Sequence, residues 1–145
     1  METYNALRLE QDPLSPHYYR IEGLDVDGDT VFFDIGSAEG MTSLSLADRV
    51  GRIILFETEP KWIAALEKTF EPWKEKVTIV NKYVSDRDDD GNIRIDTVVA
   101  GMGVKPGRMV FKADVEGAGM QVMEGAAKTL SDPDIDTQVI LCTYH

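Results

Sequence analysis

Apolar, β-rich stretches alternate along this chain with segments of helical period, and that alternation most restricts what it can fold into. "TVFFDIG" (Thr30 to Gly36), "RIILFETE" (Arg52 to Glu59), "KVTIVNKYVSD" (Lys76 to Asp86), "RMVFKADVEG" (Arg108 to Gly117) and "TQVILCTYH" (Thr137 to His145) read as five strands. Between them lie "GMTSLSLADRVG", with Met41, Leu44, Leu46 and Ala47 near one helical face, and "KWIAALEKTFEPW", with Trp62, Ile63, Leu66 and Phe70 at helical spacing after Pro60. "AGMQVMEGAAKTLSD" reads as a further helix, and the polar run "RDDDGN" as a loop. Such alternation implies an α/β domain with a mainly parallel sheet and helices on both faces. At 145 residues and 43% apolar, the chain is expected to form one domain with one core, its segment 1–27 packing on or beside it.

Composition narrows the partners. A net charge of −11 argues against nucleic acid or an anionic membrane surface, both of which reward clustered Lys and Arg. Cys142 is the sole cysteine, so no internal disulfide can form and a reducing compartment is the simpler reading. No run approaches a membrane span, and "METYNALRLEQD" carries acids without an apolar signal core, so a soluble, cytoplasmic protein is expected.

In parallel α/β sheets ligands bind outside the carboxyl ends of the strands, where the strand order reverses. At those ends stand Asp34, Glu57 and Glu59, Asp86, and Asp114 and Glu116. Each taken singly reads as a solvated loop acid or a helix cap. Together they crowd negative charge that loops, solvent or a cationic ligand must relieve. The turn after the first strand, Asp34-Ile-Gly36-Ser-Ala-Glu39-Gly40, spaces its glycines four apart, unlike a dinucleotide fingerprint, and no phosphate-cradling G-x-x-x-x-G-K-[ST] segment exists. S-Adenosylmethionine suits an acidic cleft better: its sulfonium and ammonium are cationic, and its ribose offers two hydroxyls to one carboxylate. Glu57 follows Gly36 by 21 residues, close to the spacing of about 20 at which a ribose-binding acid follows such a turn.

The blocks "DGDTVFFDIGSAEG", "LFETEP", "VSDRDDDG", "IDTVV", "FKADVEGAGMQVMEGA" and "LCTYH" resemble, in that order, those of the FkbM-like methyltransferases, over roughly Gly28 to His145. The resemblance implies a class I, Rossmann-like three-layer fold that uses S-adenosylmethionine, and O-methyl transfer to a hydroxyl of a sugar, lipid or natural-product acceptor. It implies that Asp34, Gly36, Ser37 and Gly40 hold the methionine end, Glu57 the ribose, and Ser85 with Asp86 the adenine edge. Asp114 and Glu116 would line the transfer cleft, Asp114 as general base or as partner of the cofactor's ammonium, and His145 would face the same cleft. "D-V-E-G-A" is also good helix-entry chemistry, so a capping role for Asp114 stands beside these. Ala38, Thr58 and Gly119 depart from the family, which commonly carries Asn, Pro and an acid there.

Family members continue past the equivalent of "TYH" through two further strands, so the sheet is expected to lack those two. A cofactor-binding domain or structural partner without turnover is therefore the second reading. A flavodoxin-like or response-regulator-like domain is the third, weakened by the absence of a phosphate loop or an acid-pair-plus-Lys set. His17, in "SPHYYR", reads as a surface or packing residue, and two histidines with one cysteine give no metal-ligand spacing. Met102, Met109, Met120 and Met123 read as core filling. With Val139, Ile140 and Leu141 on an unprotected last strand, self-association is expected, most simply as a homodimer.

Overall fold

A computed structural model of the chain describes residues 19, 23–115 and 117–142. Five strands, β1 (Thr30–Ile35), β2 (Arg52–Phe56), β3 (Val77–Val80), β6 (Arg108–Ala113) and β7 (Asp136–Leu141), form one sheet in the order β3-β2-β1-β6-β7. Every pairing in it is parallel. Between the strands run α1 (Met41–Leu46), α2 (Pro60–Thr69), α3 (Ile95–Ala100), α4 (Gly119–Gly125) and α5 (Ala127–Leu130). A second ladder joins β4 (Tyr83–Val84) to β5 (Asn92–Ile93). The chain order first runs outward from β1 to β3, then resumes on the other side at β6. The reversal therefore falls between β1 and β6.

The central strand explains why both faces are covered. All six residues of β1 are buried, and successive side chains point to opposite faces, so neither face is free to be wet. Phe32, with Ile53 and Val110 beside it in register, packs under Leu46, Val50, Leu66 and Phe70 from α1, α2 and their flanks. Phe33, beside Ile54 and Phe111, packs against Ile95, Val122 and Ala126 from α3, α4 and the residue after it. The rings of Phe33 and Phe111 lie 4.7 Å apart at 31°, a tilted pair that adds to the area buried. Leu24 and Val26 also pack on the Phe32 face, and the Gln138 side chain exchanges hydrogen bonds with the Asp25 backbone at 3.2 and 2.9 Å.

Several boundaries differ from the expectation: the second and fourth strands read from the sequence end at Phe56 and Ala113 rather than at Glu59 and Gly117. The segment Lys76 to Asp86 is two strands rather than one, because β2 leaves the sheet after Phe56. The last rung on that side is the Glu57 amide donating to the Val80 carbonyl at 3.2 Å; beyond it Tyr83 and Val84 pair with β5 instead. The helix expected over Ala118 to Asp132 is broken at Ala126 (φ −107°, ψ 5°) into α4 and α5. "IRIDTVVAGMG", which the sequence leaves unassigned, supplies β5 and α3.

Candidate functional site

The carboxyl ends of β1, β2 and β6 open onto a cavity of about 450 Å³ whose walls include Gly36, Glu57, Tyr83, Ser85, Asp114 and Gln121. That volume suits a ligand of cofactor size. At its floor Gly36 begins the turn that runs on to Gly40. The amides of Gly36 and Ser37 both donate to the Phe56 carbonyl, at 3.1 and 3.2 Å, and the Ser37 hydroxyl does so at 3.2 Å. The turn is thus stitched to the end of β2. Gly36 has φ 73°, and a Cβ there would run into the Asp114 carbonyl oxygen. Gly40 has φ 69°, and a Cβ there would lie 2.6 Å from Leu66 Cδ2. Both glycines are required by close packing of this chain against itself. Ala38 shares the left-handed region at φ 44° without being glycine.

Glu57 completes the turn. Its Oε2 accepts from the Ala38 amide at 2.9 Å, and its Oε1 accepts from the amides of Thr58 at 2.7 Å and Glu59 at 2.9 Å. Three backbone donors fix the carboxylate at the cavity wall. By ordinary lone-pair counting they leave one acceptor position, on Oε2. The ribose contact drawn from sequence with both oxygens free is accordingly reduced to one open position.

Asp34 is placed otherwise than the sequence suggests. It is only 1% exposed and is absent from the cavity wall. Its Oδ2 accepts from the Ser43 hydroxyl at 2.6 Å, while the ammonium of Lys112, itself 5% exposed, stands 3.1 Å from Oδ1. Lys112 also donates to the Gly36 carbonyl at 2.9 Å and lies 5.3 Å from the centre of the Tyr19 ring. Tyr19 in turn donates its hydroxyl to Asp114 Oδ2 at 2.8 Å. Burial, and then the hydrogen bond to Asp114, push the Tyr19 phenol well above its usual range.

The remaining acids are relieved in the same way, by the chain itself. Ser85 lines the cavity and donates to Asp86 at 2.9 Å, whereas Asp86 does not line it and faces Arg87 at 3.7 Å. Asp88 accepts from the Arg94 amide at 2.9 Å, from Arg94 Nε at 2.7 Å and from the Thr97 hydroxyl at 2.8 Å. These contacts lower its pKa to about 2, and Asp89 falls to about 2 through Asn92, Arg87 and the Gly91 amide. Of the strand-end acids read from the sequence, Asp34, Glu57, Asp86 and Asp114 thus each find a donor or a cation within the chain.

Glu57, Ser85, Gly36 and Asp114 are brought together at the cavity. Ser37 and Gly40 continue the turn behind Gly36 without lining the cavity, Asp34 is buried away from its wall, and Asp86 meets it only through Ser85 and Arg87. Glu116, His145 and His17 lie outside the described residues. Sequence reasoning missed Lys112 and Tyr19. A lysine in the middle of the apolar "RMVFKAD" was a signal, but its partner follows only from the register that sets Lys112 beside Asp34. Among the described residues no group of three or more His, Cys, Asp and Glu could hold a metal ion, and no helix is long and apolar enough to cross a membrane.

No family model matches the chain, and no curated protein matches it at a significant level. Solved structures do. The methyltransferase FkbM of Methylobacillus flagellatus KT aligns with a TM-score of 0.68 at 15% identity, over 84% of this chain and 35% of that one. The precorrin-6y C5,15-methyltransferase of Geobacter metallireducens GS-15 aligns at 0.56 and 18% identity, over 83% and 56%. A dimethyladenosine transferase of Plasmodium falciparum aligns at 0.56 and 9% identity, over 85% and 39%. The chain thus spans between about a third and just over half of these proteins. Sheet order, switch-point cavity and these likenesses agree that the chain has the Rossmann-like α/β fold of methyltransferases, FkbM among them.

Proposed function

We propose that the chain is the S-adenosylmethionine-binding part of a methyltransferase that acts on a hydroxyl group of a sugar, lipid or natural-product acceptor. The observation that carries the reading is Glu57. A carboxylate at the tip of the strand beside the switch point is held rigid by three backbone amides, with one acceptor position left toward a cavity of about 450 Å³. A ribose hydroxyl fits that position. Ser85, which donates to Asp86, keeps its own oxygen as an acceptor in the same wall. Among the described residues nothing bonds to Asp114 Oδ1, Tyr19 being on Oδ2.

Bound S-adenosylmethionine supplies a methyl group on a sulfonium already activated for displacement. The residues of this chain bind and orient. Glu57 would hold the ribose in the middle of the ligand, with Gly36 in the wall beside it. Asp114 Oδ1 would either take the proton of the acceptor hydroxyl or accept a hydrogen bond from the cofactor's ammonium. Proximity and orientation can supply most of the acceleration for such a transfer.

One observation favours a second reading, a binding domain with weak or no turnover. The Tyr19 hydroxyl already occupies Asp114 Oδ2, which leaves the other carboxylate oxygen alone to serve a transfer. Calorimetry with S-adenosylmethionine and S-adenosylhomocysteine tests the cofactor, and a turnover assay on hydroxylated acceptors separates the two readings. Micromolar binding of either ligand is expected; absence of binding to both would overturn the proposal.

A further inference from the structure

Lys112 is a lysine in a strand whose other central residues, Met109 to Phe111 and Ala113, are buried and apolar, and it is itself buried. An ammonium is taken out of water only where partners replace its hydration. Here the partners are Asp34 Oδ1 at 3.1 Å, the Gly36 carbonyl at 2.9 Å and the face of Tyr19 at 5.3 Å. Among the described residues no hydrogen bond reaches Asp34 Oδ1, and the Lys112 ammonium is the charge that faces it. Of these contacts the one to Gly36 is the most informative. Every amide from Gly36 to Ala38, and that of Gly40, donates within the chain, to Phe56, Glu57 and Ser37. The Gly36 carbonyl, which accepts from Lys112, is the point at which the floor is tied to β6. Asp34 holds the lysine in place from below, and Ser43 holds Asp34 from α1.

We infer that Lys112 is a positioning residue for the cavity floor: with Asp34 as its counter-ion it fixes the Gly36 carbonyl, and through that the Gly36–Gly40 turn that the ligand is to lie over. Asp34 then serves the site through Lys112 and does not touch ligand. This assignment rests on the proposed cofactor reading for its consequence, but not for its geometry. A lysine that merely balanced a buried acid would be replaceable, together with that acid, at no cost to the turn.

The test is the pair Asp34→Asn with Lys112→Met, which removes both charges at nearly constant volume and leaves neither one buried alone. Lys112→Met by itself strands the Asp34 carboxylate, and a fall in its thermal midpoint that the double variant largely restores shows that the pair is coupled. Amide hydrogen exchange is then measured on the ligand-free double variant. Exchange at Ser37 and Ala38 at least tenfold faster than in the unaltered protein, with protection in β1 and β2 unchanged, is expected. S-Adenosylhomocysteine should bind the double variant about tenfold more weakly at the same time. Unchanged exchange at Ser37 and Ala38 would overturn the assignment whatever the binding. Faster exchange in a chain whose unaltered form binds no S-adenosylhomocysteine would uphold Lys112 as the tie of this turn and would instead remove the cofactor reading.

Discussion

At the scale of single residues the cavity floor mixes one misfit with one tightly constrained position. Ala38 sits at φ 44°, where a Cβ costs about 1 kcal/mol relative to glycine. Ala38→Gly, or Ala38→Asn, is expected to raise stability by about 0.5 to 1 kcal/mol, read as a higher thermal midpoint. Gly36→Ala should do the opposite, since its Cβ would meet the Asp114 carbonyl oxygen. Glu57→Ala acts twice. It leaves three amides without their acceptor, so the ligand-free protein should melt earlier. It also removes one charge-assisted hydrogen bond to ligand, about 1.5 to 3 kcal/mol, or roughly tenfold or more in the affinity for S-adenosylhomocysteine. Calorimetry well below both midpoints separates the two effects. Asp86→Ala, whose side chain is not part of the cavity wall, should alter binding far less. Tyr19 carries a pH dependence. Its pKa is raised in the folded state above the ordinary tyrosine value of about 10, so its contribution to stability is complete below about pH 10 and declines as pH rises further. Tyr19→Phe should flatten the alkaline limb of the stability profile, as measured by urea unfolding between pH 8 and about 11.

At the scale of elements, acids hold the short helices in place. Asp96 Oδ1 accepts from the Thr129 amide at 2.9 Å and its hydroxyl at 2.7 Å, while Oδ2 accepts from the Lys128 amide at 3.1 Å. It therefore caps α5 from α3, a helix of four residues that has no side-chain cap of its own. Asp96→Ala is expected to cost about 0.5 to 2 kcal/mol, the usual range for a lost cap, in chemical denaturation. Asp88 and Asp89 organise the loop from Arg87 to Arg94. Both carboxylates titrate at about 2 in the folded state, below the ordinary aspartate value of about 3.9. What they contribute is present above that ordinary value and is lost as pH falls toward 2. Amides of Gly91, Asn92 and Arg94 should lose protection from exchange below pH 4, ahead of those in β1. The sequence marks this stretch as a loop by its polarity, but its order comes from contacts that only the folded chain makes.

For the whole molecule, the open question is what lies beside β7. It ends the sheet, with Val139 39% and Leu141 41% exposed. Among the described residues nothing pairs with its outer edge. An unprotected edge with exposed apolar side chains favours strand addition by a second copy. Light scattering across a dilution series is expected to give a two-fold dimer, and Val139→Lys to shift it toward monomer without loss of helical signal.

Much of this architecture is legible before any coordinates. Alternating strand and helix patterns require a parallel sheet covered on both faces, because a strand such as "TVFFDI" offers apolar side chains in both directions and parallel neighbours need a crossover between them. The place of the acids at strand ends, and hence of the cleft, follows from the same pattern. Which acids face the cleft does not. Asp34 and Glu57 look equivalent in sequence, yet Asp34 is matched by Lys112 only because β6, far along the chain, pairs with β1 in a register that sets the two side by side. Glu57 is turned to the cavity because the Ala38 amide, brought to it by the same turn, completes its grip. Local sequence sets which elements form and where they end; the direction of a charged side chain is decided by partners from other strands, and those meet only when the sheet has closed.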